Sequence, residues 1–223
     1  MPLQSGLQGH DLRRVVYLHG FASSARSSKA AFFAAKLAQR GVTLDTPDLN
    51  EPDFSTLTVS RMLGQVGDVI DAAASPVALI GSSLGGFVAV QTALQHAGRV
   101  DRLVLLAPAL DFGRNRMREL GGLGLGNWQA SNKLDVFHYG YGRVIPVHYE
   151  LYLDASRYNA FDAALTVPIQ VFQGRRDAAV DPETVERWSK ARPNVELHML
   201  DDDHQLLGSL DYIWREMERF LDL

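Results

Sequence analysis

The sequence predicts an α/β protein built on a doubly wound, mostly parallel six-stranded sheet, with an inserted cap. Two observations predict it. Short apolar runs alternate with longer amphipathic stretches along the chain, the rhythm of strands joined by helical crossovers. Six such runs, each separated from the next by a helix or a long insertion, imply a parallel sheet covered on both faces. Right-handed crossovers leave few arrangements, and the predicted strand order is 2-1-3-4-5-6.

Each element has its own signal. Val15 to Leu18 is a β-branched run stopped by Gly20. Ser27 to Arg40 is a helix with Phe32, Phe33, Leu37 and several alanines on its apolar face, closed by Gly41. Val42 to Thr46 is the second strand, ended by Pro47. Thr56 to Ala74 has Leu57, Met62, Leu63, Val66 and Ile70 near helical spacing, though Gly64 and Gly67 weaken it. Val77 to Ile80 is the third strand, followed by a turn and a helix from Leu84 to about Ala97. Leu103 to Ala107 and Ile169 to Phe172 are the fourth and fifth. Asp181 caps a helix that begins at Pro182, since proline suits the first helical position. Val195 to Leu200 is the last strand and Ser209 to Leu221 the closing helix.

Asp111 to Thr166 breaks this rhythm, being far longer than a crossover requires. It holds Gly121-Gly122-Leu123-Gly124-Leu125-Gly126 and many aromatic residues, among them Trp128, Phe137, Tyr139 and Tyr141. It is expected to be a cap inserted over the carboxyl edge of the sheet, within one domain spanning residues 1–223.

Composition narrows the partners. The chain has a net charge of -4, which gives no electrostatic footprint for nucleic acid or an anionic membrane. It has no cysteine, which excludes disulfides, thiolate metal sites and a cysteine nucleophile. No apolar run opens the chain and none is long enough to span a bilayer. The expectation is a soluble cytoplasmic protein acting on a small molecule.

Gly81-Ser82-Ser83-Leu84-Gly85 fits G-x-S-x-G, in which a serine sits on a tight strand-to-helix turn. Side chains two residues either side would collide with neighbouring backbone, and only Ser83 has glycine at both places. Acyl transfer also needs donors for a developing oxyanion. The N–H of Leu84 at a helix start supplies one, and the loop after the first strand supplies the other from Phe21. His19 in that loop is read as a buried hydrogen-bonding residue, not a chemical one. Of seven histidines, His204 is best placed as base, four residues past the last strand. Asp177, just past the fifth strand in Gly174-Arg175-Arg176-Asp177, is the acid that orients it, with Asp111 as a rival. The chain order serine, aspartate, histidine is the one expected of α/β-hydrolases.

His19-Gly20-Phe21-Ala22-Ser23-Ser24, with Arg26, Ser28 and Lys29 behind it, resembles the opening of the small YqiA-type bacterial esterases. Gly81-Ser82-Ser83-Leu84-Gly85-Gly86-Phe87 resembles their nucleophile elbow, paired serines included, and the Asp177 loop and His204 fall at matching places. The resemblance implies an α/β-hydrolase fold, carboxylesterase activity on short acyl chains, no cofactor, and an oxyanion hole from Phe21 and Leu84. The aromatic insertion and the two arginines before Asp177 depart from the relatives. The expected substrate is a carboxylic ester or thioester of a small to medium acyl group. Amide or carbon–carbon cleavage would use the same three residues, and a non-catalytic binding protein could keep the same fold. Arg114, Arg116 and Arg118 follow the fourth strand as a solvated helix start or as ligands for a substrate anion. His138 and His148 lie within reach of a substrate under the cap, and a metal site is not expected.

Overall fold

In the computed structural model, residues 14–113 and 125–223 are described. His10, Arg114, Arg116, Arg118 and the glycine-rich residues 121–124 lie outside them. Six strands form the main sheet: β1 (Val15–Leu18), β2 (Leu44–Asp45), β3 (Val77–Ser82), β4 (Val100–Leu106), β7 (Ile169–Gly174) and β8 (Val195–Leu200). Their order is β2-β1-β3-β4-β7-β8, every pair parallel, as the sequence predicts. Leu18 at the end of β1 pairs with Gly81 near the end of β3, so the exits of the two strands lie side by side. This is the switch point, where consecutive crossovers leave in opposite directions.

Every strand except β2 feeds two cores. Along β1, Val16 and Leu18 enter one apolar cluster while Val15 and Tyr17 enter the other, the period of two that a pleated strand imposes. The first cluster is covered by α2 (Val59–Asp71), α3 (Leu84–Gln95) and α6 (Pro182–Lys190). The second is covered by α1 (Ser28–Ala38) and α7 (Leu210–Phe220). Helix α3 is buried from Leu84 to Ala93, which explains its lack of a polar face.

Local chemistry sets the helix ends. Ser27 accepts the Ala30 N–H at the start of α1, and Asp181 accepts those of Glu183 and Thr184 ahead of Pro182 in α6. Helix α2 starts at Val59, later than its apolar pattern suggests, because Asp53 caps a separate 3₁₀ turn at Phe54–Thr56 and Thr58 caps the helix proper. A side chain at Gly67 would meet the His96 ring at 3.1 Å, so glycine lets α2 and α3 approach. Strand β2 is shorter than the predicted Val42 to Thr46, because Val42 turns back to give its N–H to the Leu37 carbonyl.

Between β4 and β7 lie α4 (Leu125–Ser131), an antiparallel hairpin of β5 (Leu134–His138) and β6 (Arg143–Val147), and α5 (Glu150–Ala155). The hairpin escaped the sequence pattern because both its faces carry apolar residues: Phe137 and Val144 are exposed while Val136 and Ile145 pack inward. The segment is tied to the sheet's carboxyl edge. Tyr139 donates its N–H to Ala22 O (2.8 Å), and His148 its own to Ser55 O (2.9 Å). The buried Asp154 accepts the Ser60 N–H (2.7 Å) and hydroxyl, and Ser60 Oγ lies 2.6 Å from the Tyr158 hydroxyl. Asp154→Ala is therefore expected to lower the unfolding free energy by about 2 kcal/mol, the scale of a hydrogen bond to a buried charge. A urea midpoint equal to the native one would show that this tether contributes nothing. Among the described residues no helix is long and apolar enough to cross a membrane.

Candidate active site

Ser83 stands between β3 and α3 with φ 54° and ψ -116°, a strained conformation for a residue with a side chain. The surrounding backbone holds it there. Its N–H donates to Leu106 O (2.9 Å), and its carbonyl accepts from Gly86 N (2.9 Å) and Ala109 N (3.0 Å). The flanking glycines are required by space. A Cβ at Gly81 would lie 2.4 Å from Gly85 O, and one at Gly85 would lie 2.1 Å from Leu18 O. Helix α3 has no side-chain cap, so the N–H of Leu84 stays available at the positive end of the helix.

The loop after β1 crosses beside this elbow. A Cβ at Gly20 would stand 3.2 Å from Ser83 Cβ, which measures how closely the two backbones approach. His19 is buried, with Nδ1 2.9 Å from Gly20 O and Nε2 accepting the Leu49 N–H at 3.0 Å. The Asp48 carboxylate is 3.2 Å from the same Nε2. Asn50 donates to Ser23 O (2.8 Å) from the same side, and Tyr139 holds Ala22 O from the other. Ala22 takes φ 55°, so the chain bends sharply just after Phe21, whose ring packs on Phe54 and Phe112 at 5.4 and 6.3 Å. The loop is held rigidly on both flanks.

The structure brings Asp177 and His204 together. His204 Nδ1 lies 2.8 Å from Asp177 Oδ2, with the carboxylate side chain fully shielded from solvent and the imidazole one-fifth exposed. Asp177 Oδ1 accepts the N–H groups of Ala179 and Val180, both at 2.8 Å, and Oδ2 also accepts from Gln173 Nε2 at 2.9 Å. Burial alone would raise this carboxyl, but the hydrogen bonds from His204, Val180 and Gln173 outweigh it and hold it below the usual range. Arg175 and Arg176 are exposed, and Arg176 pairs with Asp201 on the surface. Among the described residues no hydrogen bond joins Ser83 Oγ to His204; both lie on loops that leave the carboxyl edge, after β3 and β8.

Other polar groups serve the fold. The His198 ring stacks on Phe172 (4.7 Å) and contacts the Tyr212 hydroxyl (2.9 Å). In the turn at Asp201, Asp202 and Asp203, Asp202 is buried and accepts the Ser209 hydroxyl and the Asp203 N–H. His138 is fully buried, stacked on Tyr141 at 3.9 Å. Asp111 lines an open cleft of about 280 Å³ with Leu110, Tyr158, Asp162 and Arg187, none of which is Ser83, Asp177 or His204. Gln173, the second partner of Asp177 Oδ2, was overlooked; its signal was a polar residue in an apolar strand four positions before the aspartate. Among the described residues no three His, Asp or Glu side chains gather as metal ligands would.

The strand order, with a left-handed serine at the exit of the third strand, assigns the chain to the α/β-hydrolase superfamily. Known structures agree on the fold. Est1E from Butyrivibrio proteoclasticus, solved with ferulic acid bound, is similar with a TM-score of 0.81 and 20% identity over 94% of this chain and 88% of its own. Alpha/beta hydrolase domain-containing protein 10 from mouse has a TM-score of 0.77 and 17% identity, covering 93% and 89%. GrgF, an alpha/beta hydrolase from Penicillium sp. sh18, has a TM-score of 0.75 and 15% identity, covering 95% and 90%. No curated protein sequence matches. The chain belongs to the uncharacterised protein family UPF0227, whose family model matches residues 14–221. That is the YqiA-type family its motifs resemble.

Proposed function

We propose that this protein is a serine hydrolase that cleaves a carboxylic ester or thioester of a small to medium acyl substrate through an acyl-enzyme. The carrying observation is the shielded Asp177–His204 pair at 2.8 Å, on the sheet edge where Ser83 occupies its strained turn. In this reading Ser83 Oγ attacks the acyl carbonyl while His204 Nε2 takes its proton. The N–H groups of Leu84 and Phe21 receive the oxyanion. His204 then protonates the leaving alcohol or thiol. Water attacks the acyl-enzyme with its proton going to His204, and Ser83 regains a proton as the acid leaves. The nucleophile–base hydrogen bond is often long in a free enzyme and tightens with substrate bound. The segment between β4 and β7 serves as the cap, since its hairpin grips the loop carrying Phe21.

The ferulic acid bound to Est1E supports a small-molecule acyl substrate. Incubation with a fluorophosphonate followed by mass spectrometry tests the reading. One adduct on Ser83 is expected, and none in Ser83→Ala. A folded protein that stays unmodified is no serine hydrolase.

A further inference from the structure

Gln173 stands where the fold has no use for an amide. It is fully buried at the end of β7, on the face from which Ile169 and Val171 enter the first apolar cluster. An amide in such a place disfavours folding unless its polar atoms are paired. Half of this one is not: among the described residues its Oε1 has no hydrogen-bond partner. The other half is fully engaged, with Nε2 donating to the Gly174 carbonyl (3.1 Å) and to Asp177 Oδ2 (2.9 Å). Both neighbours are acceptors, so the NH₂ must face them and the oxygen must face away. The orphan oxygen is the consequence of keeping a donor at this spot.

The way donors divide over Asp177 shows what this one does. Oδ1 is held by the backbone N–H groups of Ala179 and Val180, each at 2.8 Å. Among the described residues Oδ2 has two partners, Gln173 Nε2 and His204 Nδ1 at 2.8 Å. With Oδ1 fixed, the carboxylate can still swing about that oxygen, and only the partners of Oδ2 stop it. A carboxylate held there by the imidazole alone would follow the ring instead of directing it. Gln173 is the partner anchored in the sheet, where β7 pairs with Met199 of β8. We infer that Gln173 is a positioning residue whose buried amide fixes Asp177 Oδ2, so that the carboxylate steers the His204 ring. The inference rests on the proposed hydrolase reading and deepens it.

The test is Gln173→Met, which keeps the length of the side chain and removes the donor together with the orphan oxygen. On p-nitrophenyl acetate, kcat is expected to fall about 10- to 100-fold with KM unchanged, the scale of a displacement of up to about 1 Å at a reacting group. The melting point should stay near native, because losing the unpaired oxygen offsets losing the donor. The proton NMR resonance of His204 Nδ1–H gives a second readout: sharp in native protein, it should broaden by exchange with water in Gln173→Met. Gln173→Glu supplies the rescue. Its carboxyl lies against Asp177, and two carboxylates sharing a site do not both ionise at neutral pH. Asp177, with its N–H donors, keeps the charge, so the new O–H donates to Oδ2 and kcat should recover most of the loss. A Gln173→Met kcat equal to native overturns the inference, and so does an equal loss in both variants. A lower kcat with a lower melting point and a resonance as sharp as in native protein also overturns it, because the amide then only supports the fold. The resonance needs no turnover, which separates this inference from the hydrolase reading. A native protein with no Ser83 adduct and no ester turnover defeats that reading, while a resonance lost in Gln173→Met and restored in Gln173→Glu still upholds the role of Gln173.

Discussion

His204→Ala is expected to lower kcat/KM on p-nitrophenyl acetate by roughly 10³-fold or more, the loss that removal of a triad base causes elsewhere. Without an acceptor, the Ser83 hydroxyl must shed its proton to water as it attacks, and the leaving group must depart unprotonated. The elbow does not depend on His204: Ser83 is held by Leu106, Gly86 and Ala109. The variant should thus keep its fold, and circular dichroism should match the native spectrum. Because the N–H groups of Phe21 and Leu84 remain, residual turnover above the uncatalysed rate should persist. Turnover equal to native would identify another residue as the base.

Asp177→Asn should cost about 10³- to 10⁴-fold in kcat with little change in KM, and the reason is hydrogen-bond parity. All four partners of the carboxylate are donors: the N–H groups of Ala179 and Val180 on Oδ1, and Gln173 Nε2 and His204 Nδ1 on Oδ2. An asparagine has one acceptor oxygen. The two backbone donors cannot turn, so that oxygen stays with them and the amide NH₂ faces His204. The imidazole must then accept at Nδ1 and carry its proton on Nε2, the tautomer that cannot take a proton from Ser83. Asp111→Asn, at the separate cleft, is the comparison. A larger loss there than at residue 177 would move the acid to Asp111.

The site was legible where local chemistry demands a residue type. A Cβ at Gly81 or Gly85 would lie 2.4 or 2.1 Å from a backbone oxygen, so glycine is forced there, and a forced glycine can be read without coordinates. The cap Asp181 was readable because its carboxylate answers the free N–H groups at a helix start. The pairing of His204 with Asp177 was guessed from strand ends and chain order, since two loops separated by 27 residues meet only after the sheet has formed. Gln173 went unnoticed because a lone glutamine in a strand has no pattern around it. The β5–β6 hairpin hid behind apolar residues on both faces, which erase the alternation that marks a half-buried strand.

By itself, then, the order of residues determined the architecture: the alternation of apolar runs and helices, the strand order that right-handed crossovers allow, and the turn that only glycine-flanked Ser83 could occupy. Tertiary structure alone decided which side chains share an environment. It buried Lys29 and Asp202 that the chain presents as surface charges, and it clasped the Phe21 loop between Asn50 and Tyr139. The physical reason is range: propensity and steric fit act over a few residues, whereas burial and electrostatics depend on what distant segments bring alongside.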